Sequence, residues 1–563
     1  MNSVETGSPL LSYVRGASIC DGLDSAEWHE QADVVVVGLG AAGASAAIAL
    51  RDAGKSVAVV ERFEGGGATA LSGGIVYAGA TEHLANAGYT DTVEDMFAYL
   101  KSEVGDAVDD SLLMDFCKNS SDLIGWLENL GIQFGSHVDM EKRSYPRCNY
   151  DLYFSGNERA NSSKRFARPA PRGHRVKGKG FTGRVLAETL IDNATRKGVD
   201  IYRHTRVESL VVDEQGAVIG VEVRSIPRGS KGWRRHMSLV RKINRYQRFI
   251  PALTFKTLRR LREIENQFGV VRRIRARDGV ILATGSFSFN REMIEEYAPV
   301  YRDALPLGAA GCDGSGMQLG RSVGGALTLM GRVSAWRSIS PPVSFVEGIV
   351  VNRSGRRFIA EDIYLGHLGR AIVEDQEDSA WVVVDSQGYK NALWEALPRP
   401  NQSWGTFGAP LLVNLLLGAK RASTLVKLAN VCDIDADCLV NTVEQYNQYS
   451  EQGEEPFGKS EKYLKPLSKG PFYALDISTK SRYFPCPSIP MGGLKVLPST
   501  GSVMRDDGSC IDGLYAAGRC AAGIPSGFYV SGTSLADCIY SGRRAARSIV
   551  NRGVSQLSVD KCT

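Results

Sequence analysis

The stretch that most limits how this chain can fold is Asp33-Val34-Val35-Val36-Val37-Gly38-Leu39-Gly40-Ala41-Ala42-Gly43. An apolar strand runs straight into a G-x-G-x-x-G turn, and the small residues from Ala44 to Leu50 continue it as a helix. In such a unit Gly38 makes the tight turn, Gly40 lets backbone approach a pyrophosphate, and Gly43 lets the helix pack on the strand. The helix aims its positive end at the phosphates. A second strand, Ser56 to Val60, ends at Glu61, eighteen residues past Gly43, where a ribose-binding carboxylate belongs. Glycines alone are a weak signal. Strand, turn, helix, strand and terminal acid in this order predict a dinucleotide site.

With 563 residues the chain can bury a large core and divide into two to four domains. Hydrophobic content of 43% and charged content of 23% match a globular enzyme. Neither a signal peptide nor a run of about eighteen apolar residues is present. The eleven cysteines include no C-x-x-C pair, which argues against a disulfide framework and against a zinc or haem motif, and no metal site is expected. These features fit a cytoplasmic protein.

Further along, Glu64 to Ile75 forms a second glycine-rich loop, where Thr69 and Ser72 between glycines suit phosphate oxygens or a flat ring. Val93 to Leu130 has helical spacing. Strands are expected at Gly198–Tyr202, Ser209–Asp213 and Val218–Val223, after a helix ending at Arg196. The strand Gly279–Leu282 ends in Ala283-Thr284-Gly285, a second place where backbone meets a dinucleotide. A separate α+β region follows from about Ser334 to Ser481. The last block returns to glycine-rich turns at Gly513 to Gly518 and a helix beginning near Ser534. First and last thirds therefore share one site, with the middle region as a lid.

These residues resemble the fumarate reductase and succinate dehydrogenase flavoprotein superfamily, and within it the 3-ketosteroid Δ4-(5α)-dehydrogenases. The resemblance covers roughly residues 31–225 and 278–550. It rests on the opening fingerprint with Glu61, on Gly66 to Gly74, and on Asp278 to Gly285. It rests also on Val351-Asn352-Arg353-Ser354-Gly355-Arg356-Arg357-Phe358-Ile359-Ala360-Glu361, on Met491-Gly492-Gly493-Leu494, and on Gly513 to Gly518. It implies an α/β fold: a discontinuous Rossmann-like FAD-binding domain with an inserted α+β capping domain for substrate. The implied divisions are an N-terminal arm at 1–30, FAD domain at 31–333, capping domain at 334–481, FAD domain again at 482–555, and a tail at 556–563. FAD contacts implied by the resemblance are Gly38, Gly40, Ala41, Ala42, Gly43, Glu61, Arg62, Ala68, Thr69, Ala70, Ser72, Gly73, Gly74, Val207, Ala283, Thr284, Gly285, Asp313, Gly518, Ser534 and Leu535. The second glycine loop lacks the histidine of covalently flavinylated members, so FAD is expected to be non-covalent.

Departures from the family point to the substrate. Dicarboxylate-reducing members place a His before the M-G-G block and Arg residues in the final loop and after the R-F-x-x-E block. Here those places read Ser488-Ile489-Pro490, Phe528-Tyr529-Val530-Ser531-Gly532 and Ile363-Tyr364-Leu365-Gly366. A desolvated carboxylate without a partner costs several kcal/mol. Tyr364, Tyr529 and Ser531 suit a neutral, flat, apolar ketone instead. The run Ser526 to Leu535 is similar to the Δ4-(5α) group and lacks the Tyr-Pro-Gly-Pro-Gly type run of Δ1 enzymes. The reaction implied is removal of a proton from C4 and of a hydride from C5 to flavin N5, with Tyr529 and Ser531 near the C4 proton. Tyr364 either relays that proton or polarises the ketone. A phenol has a free pKa of about 10, so it needs a relay, a dipole or a lowered pKa to act as a base. Tyr150 and Tyr153 either line the slot or belong to the core. A Δ1-type dehydrogenase and a flavin reductase of another enone or enoate remain alternatives. An electron acceptor is required, and no motif names it.

From Arg224 to Arg277 the chain carries seventeen Lys and Arg against two Asp and Glu, so the rest is net acidic although the whole is +5. Arginines alternate at helical spacing with Trp233, Leu239, Ile243, Tyr246, Phe249, Ile250, Phe255, Leu258 and Leu261, broken at Pro251. One or two amphipathic basic helices are expected. Such helices lie on anionic membrane surfaces, here the inner face of the cell membrane. An oligomer contact and a solvated insertion are the other readings. A basic stripe alone does not argue for nucleic acid, and no nucleic-acid partner is expected.

Overall fold

The computed structural model of the protein describes residues 14–20, 28–247, 250–398, 404, 408–453 and 455–559. At its centre the strand Glu30–Val37 pairs in parallel with Val57–Val60 on one side and Val270–Leu282 on the other. Asp200–Tyr202 extends the sheet past Val57–Val60, and Cys510–Ala516 joins Val280 to Leu282. Val34, Val35 and Val36 are all fully buried, as a parallel strand covered on both faces requires. One face packs against the helices Ala41–Asp52 and Thr533–Val559, through side chains such as Ile48, Leu50, Ile539 and Ile549. The other face buries Val35, Val280, Leu514 and Met317. The two ends of the chain thus meet over one sheet.

The strand Val270–Leu282 serves two partners along one edge. Residues 270–275 pair antiparallel with Val218–Ser225, and 280–282 pair in parallel with Leu514–Ala516. A register shift between Ala276 and Gly279 separates the halves. This long strand delivers Ala283-Thr284-Gly285 to the carboxyl end of the parallel sheet, where ligands of such folds bind.

A second, antiparallel sheet runs in the order Ile349–Asn352, Ala380–Val384, Phe472–Asp476, Lys420–Ala422. Alternate residues of its strands enter different cores. Val350, Val382, Val384 and Leu475 bury with Phe345 and Ala392; Ile349, Val351, Val383 and Ala474 bury with Leu428 and Leu439. Beside it Arg357 and Glu361 form a buried ion pair at 2.7 Å, joined by Lys459 at 3.1 Å. A small sheet of Ile75–Tyr77, Gly173–Arg175, Leu152–Tyr153 and Val138–Asp139 supports the final loop, with the Tyr77 N–H donating to the carbonyl of Gly532 at 3.2 Å.

Several details differ from the reading of the sequence. Within 1–30, Ser18–Ile19 pairs with Val211 and Val212 and Cys20 is buried, because the outer strand Thr205–Val212 has an edge to satisfy. Residues 1–13 and 21–27 lie outside the described residues. The C-terminal helix continues through Val559 rather than giving way to a tail at 556, and 560–563 lie outside the described residues.

The basic insertion is corrected more deeply. Only the helices Lys231–Tyr246 and Pro251–Phe268 leave the sheet, while Arg224, Arg272, Arg273 and Arg275 are strand residues. The membrane reading would turn its apolar side chains to lipid; in the structure most of them pack against protein. Val240, Ile243, Leu258 and Leu261 bury against one another and Ala310, with Leu239 and Phe63 beside them. Two adjacent amphipathic helices cover each other's apolar stripes before any outside surface does. Ile250 and Leu253 stay exposed, and residues 248 and 249, which include Phe249, lie outside the described residues. Among the described residues, no helix is long and apolar enough to cross a membrane.

Candidate active site

The turn after Glu30–Val37 is as tight as its glycines allow. A Cβ at Gly43 would lie 1.9 Å from the carbonyl oxygen of Gly38, so only glycine lets the helix start this close to the strand. A Cβ at Gly40 would meet nothing nearer than Thr69 Oγ1 at 3.8 Å, so no protein atom fills the space above this glycine at the cleft wall. The Ala41 N–H donates to Thr69 Oγ1 at 3.0 Å, tying the second glycine loop to the helix. Glu61 is buried and accepts the N–H groups of Leu39 at 2.9 Å and Phe63 at 2.8 Å. Burial raises its carboxyl pKa despite those bonds.

Gly38, Gly40, Ala41, Ala42, Glu61, Arg62, Ala68, Thr69, Val207, Ala283, Thr284, Gly285 and Asp313 line a single cleft that opens to solvent. Gly43 supports the turn from behind. Ala70 borders an adjoining cavity instead. Ser72 to Gly74 brace the loop: the carbonyl of Gly73 accepts from Tyr145 Oη at 2.7 Å and Thr182 Oγ1 at 3.0 Å. Gly518 packs behind the cleft, its N–H donating to Ser541 Oγ at 2.8 Å. Ser534 and Leu535 lie in the first turn of the helix Thr533–Val559, outside the cleft lining. The sequence reading missed Leu39, Arg206, Cys312, Arg519 and Cys538, which also line the cleft. Arg519 was within reach of the motif, since it follows Gly518 directly.

Arg62 is held by carboxylates. Its Nε lies 2.8 Å from Glu265 Oε1 and its Nη1 2.9 Å from Asp313 Oδ2. Glu265, on the second helix of the insertion, also accepts from Arg206 at 2.8 Å and faces His236 at 3.3 Å. Burial alone would raise the Glu265 carboxyl, but Arg62, His236 and Arg206 hold it well below the usual carboxylate range. The insertion is therefore pinned to the wall of the cleft.

The second half of the site is phenolic. Tyr364, Leu365, Met491, Phe528 and Tyr529 form one buried cluster, with Trp336 and Ile489 at its border. Trp336 stacks on Tyr529 with ring centroids 5.3 Å apart, and His367 stacks on Phe528 at 3.9 Å. His367 Nε2 is 2.7 Å from Glu103. The N–H of Tyr364 donates to Asn157 Oδ1 at 2.7 Å, while its hydroxyl has no hydrogen-bond partner among the described residues. Ser531 Oγ lies 3.1 Å from the hydroxyl of Tyr153. Tyr153 thus belongs to the site, whereas Tyr150 lies half-buried under the guanidinium of Arg147.

No lowered phenol is found here. Burial pushes the Tyr529 hydroxyl up to about 12, although Gly532, Ser531 and Arg519 pull it back. Tyr364 is raised well above its ordinary value by burial and by Tyr529 and Tyr153. Both are neutral donors at physiological pH, so proton movement through them requires a relay. Beneath them Glu158 is pushed up to about 7 by burial, against the N–H of Gly156 at 2.8 Å.

A dinucleotide cleft that opens beside a closed set of hydroxyls defines a flavin-dependent oxidoreductase. The glycine turn, the buried Glu61 and the unpaired guanidinium nitrogens of Arg519 fit FAD. The FAD binding domain family matches residues 33–535, and the chain belongs to it; FAD is its cofactor. It is 37% identical over 510 residues to 3-oxo-5-alpha-steroid 4-dehydrogenase of Comamonas testosteroni, covering 88% of this chain and 94% of the relative. It is 26% identical over 527 residues to fumarate reductase (cytochrome) of Shewanella frigidimarina, covering 92% of this chain and 76% of the relative. Among solved structures it is similar to 3-ketosteroid-delta4-(5alpha)-dehydrogenase from Rhodococcus jostii RHA1 in complex with 4-androstene-3,17-dione. That match has a TM-score of 0.80 and 29% identity, with 95% of this chain and all of that chain covered.

Proposed function

We propose that this protein dehydrogenates a 3-ketosteroid, introducing the C4–C5 double bond. The observation that carries this reading is the buried hydroxyl set, Tyr364, Tyr529 and Ser531, walled by Trp336, Ile489, Met491 and Phe528. Such a pocket accepts a flat apolar ring and one carbonyl, and offers a dicarboxylate no ion pair at Ser488 or Ile489. Around it His367 faces Glu103, Arg337 donates to the carbonyls of Phe484 and Ser478 at 2.7 Å each, and Arg519 lines the cofactor cleft. The Comamonas testosteroni relative and the androstenedione complex support the same substrate class.

FAD, when bound, accepts the hydride that leaves C5. The protein supplies the rest. Tyr364 offers its unpartnered O–H to the C3 oxygen, which acidifies the protons on C4. Tyr529 takes the C4 proton on its phenol oxygen as its own proton moves to Ser531, whose hydroxyl is shared with Tyr153, and the relay releases one proton to bulk water. A chain of neutral hydroxyls can move a proton without any member carrying charge for long, which suits groups whose pKa values are raised. Apolar walls keep water from the reacting carbons. Product analysis tests the position of the bond: a 5α-3-ketosteroid with an external electron acceptor is expected to give the 4-ene ketone. A 1-ene product alone would overturn the assignment in favour of Δ1 chemistry.

We propose further that the insertion docks on an anionic membrane surface by charge. Lys231, Arg234, Arg235, Arg241, Lys242 and Arg245 on its first helix and Lys256, Arg259 and Arg260 on its second are exposed, near the exposed Ile250 and Leu253. Each cation near such a surface contributes on the order of 1 kcal/mol. Sedimentation with anionic vesicles is expected at low salt and reduced at physiological salt. No pelleting at low salt would end this reading.

A further inference from the structure

Arg519 is buried, at 6% exposure, where the cofactor cleft meets the phenolic pocket. It lines the cleft beside Cys538, and its charge is felt by Tyr529 on the substrate side. Its Nη2 donates to the carbonyl of Pro490 at 3.0 Å, and its Nε and Nη1 have no hydrogen-bond partner among the described residues. Buried N–H groups left unpaired are costly, more so on a charged group. Two of them on one guanidinium at the wall of a cofactor cleft mark an acceptor that is not part of the protein.

The cleft runs from Glu61 and Arg62 to Arg519 and Cys538, so with the ribose at Glu61 the redox-active end of a bound FAD would lie at this junction. Two electrons and one proton convert the oxidised ring to its anionic reduced form, so a fixed cation there favours the reduced state. The helix Thr533–Val559 begins at the same place and adds a positive dipole end. We propose that Arg519 donates hydrogen bonds to FAD at this junction and raises the cofactor's reduction potential, with Asp537 on that helix as the balancing negative charge. The inference rests on the cofactor and not on the steroid. Arg519 also explains how a flavin surrounded by neutral hydroxyls can accept a hydride from an unactivated C–H bond: the charge stands on the cofactor side of the pocket.

The test is the midpoint potential of the FAD-loaded protein, measured by anaerobic dye-coupled titration without steroid. Arg519→Gln is expected to weaken the preference for reduced over oxidised FAD at least tenfold, a fall of about 30 mV for a two-electron couple. Arg519→Lys keeps the charge and should stay closer to the unmodified protein than Arg519→Gln does. Asp537→Asn should move the potential upward. An unchanged potential in Arg519→Gln overturns the proposal, and so does an equal fall in Arg519→Lys. Should Arg519→Gln fail to hold FAD, an unchanged potential in Asp537→Asn overturns it. Because no steroid enters the measurement, its failure is distinct from failure of the substrate assignment.

Discussion

In the proposed reaction Tyr529 acts as a neutral phenol, raised to about 12 by burial and acted on by Ser531. Tyr529→Phe removes the oxygen proposed to receive the C4 proton, and turnover is expected to fall about 10²- to 10⁴-fold, with FAD still bound. Near-normal steady-state rates would remove Tyr529 from the chemistry. Tyr153→Phe leaves Ser531 in place without its partner, so a smaller loss of roughly tenfold in kcat is expected, with little change in KM. Glu158 gives a pH signature. Its carboxyl is raised from 4.5 to about 7, so its contribution to stability is full below about pH 4.5 and is lost as the pH rises through about 7. Glu158→Gln should flatten that part of the stability curve, by about 3 kcal/mol between the two ends. Parallel melting curves of the two proteins from pH 4.5 to 7.5 would contradict this.

Among the elements, the insertion carries the strongest expectation. Glu265 binds Arg62 and Arg206 from the helix Pro251–Phe268, so the insertion acts as a buttress for the cofactor cleft. Glu265→Gln leaves two buried cations short of a partner and should cost about 3–5 kcal/mol, with weaker retention of FAD. Since the Glu265 carboxyl is depressed, its contribution is present above about pH 4.5 and is lost as the pH falls below it. A melting temperature unchanged in Glu265→Gln at neutral pH would sink the buttress. An amphipathic basic helix has the same periodicity whether its apolar stripe meets lipid or a neighbouring helix, so this packing was not legible in the residues. The turn at Gly38 to Gly43 was legible because every requirement for it is local. The pairing of Ser531 with Tyr153, 378 residues away, arises only from how the small sheet meets the final loop.

At the scale of the whole molecule, the beginning and end of the chain build one cofactor cleft, and the region between them supplies Tyr364 and Trp336 to the substrate side. The second glycine loop contains no histidine, so acid precipitation is expected to leave all flavin in the supernatant; yellow pellet would indicate a covalent link. The central claim is that the pocket beside the flavin is built for an uncharged ketone. Anaerobic mixing with a 5α-reduced 3-ketosteroid tests it most directly, through flavin absorbance. Bleaching by one equivalent of the steroid and none by succinate is predicted. Bleaching by succinate with no response to the steroid would contradict it.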